Sequence, residues 1–153
     1  MLRYRRHGQM EENMNTYVNL KTKHQIEINK FPMQFAFSNE QFKEGMERLG
    51  LTEKDTDKVY SFGNTGGFYR RSDAKRLHEM LDRQEQERKE AMKNDQYIYE
   101  MFDYELANHE YIITRSTRET LDALDLTQEQ VETDKRLSAA LKKAIQHQIE
   151  IQE

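Results

Sequence analysis

Gly63-Asn64-Thr65-Gly66-Gly67-Phe68-Tyr69-Arg70-Arg71-Ser72-Asp73, then a charged stretch, then Tyr97-Ile98-Tyr99-Glu100-Met101-Phe102-Asp103-Tyr104-Glu105-Leu106, decides the fold. The first part reads as the turn and second strand of a β-hairpin. Lys58-Val59-Tyr60-Ser61-Phe62 before the turn and Gly67 to Arg70 after it are β-prone, and the turn glycines supply positive φ. The last part is the densest apolar run in the chain. Tyr97, Ile98, Met101, Phe102, Glu105 and Leu106 recur around a helix expected from about Gln96 to Asn108. The expected fold is therefore α+β, a mostly helical single domain over residues 15–153 with a small antiparallel sheet covered by that helix. His109-Glu110-Tyr111-Ile112-Ile113-Thr114 reads as a third strand beside the hairpin.

Outward from this centre, capping chemistry sets the boundaries. Ser38 caps a helix carrying Phe42, Met46 and Leu49 inward, with Gln41 at the capping-box position, Phe37 and Phe42 at the staple positions, and Gly50 as the stop. Thr127, Gln130, Leu126 and Val131 repeat this pattern near the C-terminus. Tyr17, Leu20, His24 and Ile28 predict a helix from about Thr16 to Lys30, with His24 on its apolar face read as a half-buried histidine at a packing seam in preference to a ligand or base. Phe31, Met33, Phe35 and Phe37 alternate along an extended segment. Ser72 or Asp73 begins a helix reaching towards Lys93, whose Arg83 to Glu90 portion is charged nearly all round and reads as a solvated rod. Thr117 caps a short helix to Leu124. The last helix, about 134–150, shows Leu137, Leu141, Ala144 and Ile145 at heptad-like steps, read either as docked on the domain or as a homodimer seam. Residues 1–14 show neither period nor cap and read as a flexible tail in which Met10 or Met14 could equally be the start.

Composition narrows the class. Of 153 residues, 35% are hydrophobic and 34% charged, which gives a thin core inside charged helices, and the net charge of −4 with a single proline argues against disorder. Without cysteine there is neither a disulfide nor a thiolate metal site, and the simplest setting is cytoplasmic, with no membrane association. A pI of about 5.8 disfavours nonspecific nucleic-acid binding through overall charge.

Three constellations are candidate sites. The first is Gly66, Gly67, Arg70, Arg71, Lys75 and Arg76: glycines allow close backbone approach, arginines fork onto phosphate, and a helix N-terminus follows. The plain alternative is a hairpin turn, and Asp73 places a negative charge where an anion would sit. The second is His78, Asp82, Glu105 and His109, with Glu110, arranged as pairs one helical turn apart that could hold a divalent cation, although acid-rich helices supply such pairs by chance. The third is tyrosine-rich, with Tyr69, Tyr99 and Tyr104 as partner contacts and Tyr99 expected to be exposed; the plain alternative is core packing.

Phe35-Ala36-Phe37-Ser38-Asn39-Glu40-Gln41-Phe42, Gly66 to Asp73, Tyr99 to Tyr111 and Thr120-Leu121-Asp122-Ala123-Leu124 resemble a family of short uncharacterised proteins of bacteriophages and mobile elements of gut Firmicutes. The resemblance spans roughly Leu20 to Leu141. It implies expression inside a bacterial host and supplies no catalytic residues. The expected function is a non-enzymatic accessory protein that binds a host protein or protein–nucleic-acid complex, in the manner of an anti-CRISPR or anti-restriction inhibitor, with no cofactor. The alternatives are a nucleic-acid or nucleotide binder using Arg70 and Arg71, and a metal-dependent hydrolase.

Overall fold

The computed structural model describes residues 15–152, so the tail expected over residues 1–14 lies outside the described residues. The elements are α1 (Thr16–Lys30), β1 (Met33–Phe35), α2 (Asn39–Arg48), β2 (Val59–Phe62), β3 (Gly67–Arg70), α3 (Ala74–Ala91), α4 (Asp95–Asn108), α5 (Tyr111–Thr114), α6 (Arg118–Ala123), α7 (Gln128–Thr133) and α8 (Lys135–Glu150). The protein is α+β and mostly helical, with a small antiparallel sheet. The described residues form two compact units: Lys23–Glu87, called here the sheet unit, and residues 15–22 together with 88–152, called the helical unit.

In the sheet unit the strand order is β1-β3-β2, all antiparallel, with Met33 opposite Tyr69 and Tyr69 opposite Tyr60. The hairpin forms where the sequence places it. The third strand, however, is Met33–Phe35, and His109 to Thr114 does not contribute to the sheet. Side chains alternate across the sheet, so each face builds its own small core. Tyr69, Met33 and Phe62 pack with Phe31 and with Leu77, Met80 and Leu81 of α3, whereas Phe68 and Val59 pack with Met46, Leu49 and Phe42. The sheet thus packs against α2 and α3 within its own unit, whereas α4, expected to cover it, belongs to the core of the helical unit. Gly45 of α2 lies so close to β3 that a Cβ there would meet Phe68 Cζ at 2.6 Å.

The boundaries of α2 follow the expected chemistry with one change of partner. Ser38 Oγ accepts from Gln41 N at 3.2 Å, but Gln41 Oε1 accepts from Phe37 N at 2.7 Å instead of from the cap residue. The expected staple does not close, because Phe42 turns to Phe68, 5.0 Å between ring centres, and Phe37 is left 79% exposed.

In the helical unit α4 is the central element. Its Tyr97, Ile98, Met101, Phe102 and Leu106 are buried with Leu121, Val131 and the α8 residues Leu137, Ala140, Leu141 and Ala144. The heptad-like face of α8 is therefore consumed inside the unit, and burial of one residue such as Phe102 contributes roughly 1.5–3 kcal/mol. Local caps hold the ends: Asn94 Oδ1 accepts from Tyr97 N, Asp134 Oδ1 from Arg136 N and Leu137 N, and Thr127 with Gln130 completes the expected reciprocal box. Thr117 makes no side-chain cap bond. The stretch read as a strand over His109 to Thr114 is instead the single-turn helix α5, bounded by Glu110 and Arg115 in the left-handed region at φ 54° and 57°. The left-handed Glu110 turns the chain back so that Tyr111 packs against the α4 core, which a straight strand would not do.

Candidate functional site

The glycine-rich turn is built around phenylalanine rings. Gly66 has φ +81°, and a Cβ there would lie 2.6 Å from the ring of Phe37; a Cβ on Gly67 would lie 2.9 Å from the ring of Phe35. The hydroxyl of Thr65 donates to Phe62 O at 2.6 Å and accepts from Gly67 N at 3.0 Å, so that amide is already engaged.

The cations beside the turn are also engaged. Arg70 donates to Asp73 at 2.9 Å and to Leu49 O at 3.3 Å, and Arg71 donates to Asp57 O at 2.9 Å while its guanidinium lies 4.7 Å from the Tyr60 ring centre. Arg76 lies 5.1 Å from the Phe31 ring centre and 3.8 Å from Asp73. Lys75 points outward with an exposed 3.9 Å pair to Glu79, an interaction of small energy. The arginines hold the strand and helix ends together, and an incoming phosphate would compete with Asp73.

His78 and Asp82 belong to the sheet unit and Glu105 and His109 to the helical unit, so neither unit contains the four-residue metal set drawn from the sequence. Glu105 is buried, and its carboxylate accepts from Tyr17 Oη, from Lys21 Nζ at 3.1 Å and from Asn108 Nδ2 at 3.2 Å. Burial alone would raise its pKa, but the three donors together hold it below the ordinary carboxylate range. Tyr17 is shifted strongly up, by burial first and then by its bond to Glu105. His109 lies 3.7 Å from Glu105 and 3.8 Å from Glu119. This is a satisfied structural carboxylate tying α1 to α4 inside the helical unit.

Among the described residues, the histidine and acids whose ligand atoms lie within 4.8 Å of one another are His24, Glu27 and Glu87, in the sheet unit. His24 is buried on α1, as its apolar-face position implied, and its Nε2 lies 2.8 Å from Glu87 Oε1. Arg83 of α3 bridges both carboxylates, Lys23 reaches Glu87 at 3.2 Å, and the buried Gln84 donates to Glu27 and to His24 O. The His24 hydrogen bond, followed by that of Lys23, holds Glu87 at about 2. Hydrogen bonds from Arg83 and Gln84 lower Glu27. Both carboxylates are thus already paired with the guanidinium of Arg83, which makes the group an ion network. Nothing local announced it. Most of Arg83 to Glu90 is exposed, as its charged pattern implied, but Gln84 is buried against a residue 60 positions away, and Arg83 and Glu87 also reach α1.

Of the three tyrosines read as contacts, Tyr69 is 6% exposed in the sheet core, with no face to offer a partner. Tyr104 is half-buried beside Tyr17, with Lys21 over its ring at 5.5 Å. Tyr99, expected to be exposed, is half-buried, because α8 brings Lys143 to 4.6 Å and His147 to 6.2 Å from its ring centre. The large exposed rings are elsewhere in the sheet unit: Phe37, Phe35 at 52% and Tyr60 at 42%. For Phe35 and Phe37 the signal in the sequence was the alternation Phe31, Met33, Phe35, Phe37. Four large apolar groups follow one another where the strand is three residues long, so Phe35 stands at its last position, opposite Gly67, and Phe37 lies beyond it.

A family model described as a family of unknown function, DUF7659, matches residues 16–147. The chain belongs to this family. No curated protein and no solved structure matches it. The span matched to DUF7659 runs from the start of α1 to the last turns of α8 and so takes in all three cores, the aromatic rim and the ion network. Among the described residues of this DUF7659 member, no helix is long and apolar enough to cross a membrane.

Proposed function

We propose that this protein is a non-catalytic binding protein that engages a host protein, alone or within a protein–nucleic-acid complex, through the aromatic rim of its sheet unit. In this reading it works in the bacterial cytoplasm on behalf of a bacteriophage or other mobile element, as an inhibitor of a defence system. The carrying observation is the pair Phe35 and Phe37, 52% and 79% exposed, seated on the two turn glycines. A phenylalanine gains roughly 1.5–3 kcal/mol when fully covered, and Phe37 has most of that still to gain. Tyr60 with Arg71 stacked over it adds the residue types that dominate protein interfaces. The rings rest on a hydrogen-bonded turn, so a partner would meet them already ordered. The mobile-element setting rests on the sequence resemblance.

The test is the plating efficiency of a phage on bacteria carrying a restriction or CRISPR system and expressing this protein, combined with pull-downs made with and without nuclease. Wild type should raise plating and retain a defence component, and Phe37→Ser should do neither while keeping its Tm. Unchanged plating would overturn the anti-defence reading, and recovery, without nuclease, of nucleic acid that no protein accompanies and that an Arg70→Ala/Arg71→Ala variant loses would overturn the reading in favour of a nucleic-acid binder.

A further inference from the structure

The helical unit contains a groove that the aromatic rim does not involve. A cavity of about 340 Å³ opens between the N-terminal halves of α4 and α8, with Gln96 and Tyr99 on one wall and Lys135, Ala139, Ala140 and Lys143 on the other. Ala139 and Ala140 contribute only methyl groups to its wall. Arg136 and Asp95 also line it, but they neutralise each other through a 2.7 Å pair. Lys135 and Lys143 remain, and among the described residues neither has a carboxylate within ion-pair distance. Lys143 instead lies over the face of Tyr99 at 4.6 Å.

We propose that this groove binds a small phosphomonoester carrying a flat apolar body, the chemistry of a nucleoside monophosphate. Its two uncompensated lysines match the charge of about −1.5 to −2 on such a phosphate at neutral pH. The volume falls in the range of small-ligand sites, roughly 300–1,000 Å³. Ala139, Ala140 and the Tyr99 ring provide an apolar surface for a planar ring, and Lys143, already over that ring, needs only to swing outward to meet the phosphate. The site lies wholly within the helical unit and does not rest on the proposed partner contact.

The experiment titrates the full chain with AMP by calorimetry, with adenosine and inorganic phosphate as separate arms. AMP binds saturably, and the two fragments each bind at least tenfold more weakly. Lys135→Ala/Lys143→Ala weakens AMP at least tenfold, and Ala139→Leu, which fills the groove without touching its charge, does the same. Both variants alter exposed residues, so an unchanged Tm certifies the fold. Absence of saturable AMP binding at millimolar concentration, equal affinity in the variants, or phosphate binding as tightly as AMP overturns the proposal.

Discussion

Gly45→Ala tests the packing of the sheet unit, because two physical effects oppose each other there. Considered as a helix alone, α2 gains roughly 0.5–1 kcal/mol when an interior glycine becomes alanine. The tertiary structure reverses this. The new Cβ would stand 2.6 Å from Phe68 Cζ and 3.0 Å from Gln34 Cβ. Carbon atoms pack comfortably at about 3.5–4.0 Å, so one of the two elements must retreat by about 0.9 Å. Phe68 has little room, being buried with Met46 and Leu49 and facing Phe42 across 5.0 Å. Overpacking of this kind costs typically about 1–3 kcal/mol, which exceeds the propensity gain and leaves a net loss of about 1 kcal/mol. Shortening the ring in Phe68→Leu removes the clashing atom. The double variant should therefore be more stable than the two single effects predict, by about 1 kcal/mol of coupling. Urea denaturation followed by circular dichroism, with hydrogen exchange at the amides of Phe68 and Tyr69, reads the opening of this unit. A stabilised Gly45→Ala protein, or coupling below about 0.3 kcal/mol, would show that the helix does not press on β3 as described.

Two further outcomes follow from Glu87 and from the buried Glu105. Glu87 is held at about 2 against an ordinary value near 4.5, chiefly by its His24 hydrogen bond, so it binds protons more readily unfolded than folded. Its contribution is complete above about pH 4.5 and is lost as pH falls towards 2; Glu87→Gln should flatten that limb in denaturation profiles, and an unchanged slope would refute the assignment. Tyr17→Phe leaves the buried Glu105 short of one donor and should cost the helical unit roughly 1.5–3 kcal/mol, seen as a lower Tm and faster exchange in α4, whereas an unchanged Tm would mean that Lys21 and Asn108 suffice.

The sequence by itself determined what depends on neighbours within about four residues. The limits of α1, the Ser38 and Thr127 caps, the hairpin around Gly63 to Gly66 and the helix over Asp95–Asn108 all follow from cap chemistry, turn chemistry and apolar period, and all are present. Tertiary structure decided whatever depends on which surface meets which. Tyr111-Ile112-Ile113-Thr114 has strand propensity, yet Glu110 in the left-handed region directs it into one helical turn. The sheet took its third strand from Met33–Phe35, because pairing is a matter of distant register, and packed against α2 and α3, whereas the more apolar α4 joined the core of the helical unit. Arg70 and Arg71 were legible as a basic pair, but not that Asp73, Leu49 and Asp57 would engage them. His24, Glu27 and Glu87 became one network, while His78, Asp82, Glu105 and His109 were divided between two units. Local spacing fixes which residues share a helical face, and only the packing of that face against a distant segment determines whether it becomes core, ion network or free surface.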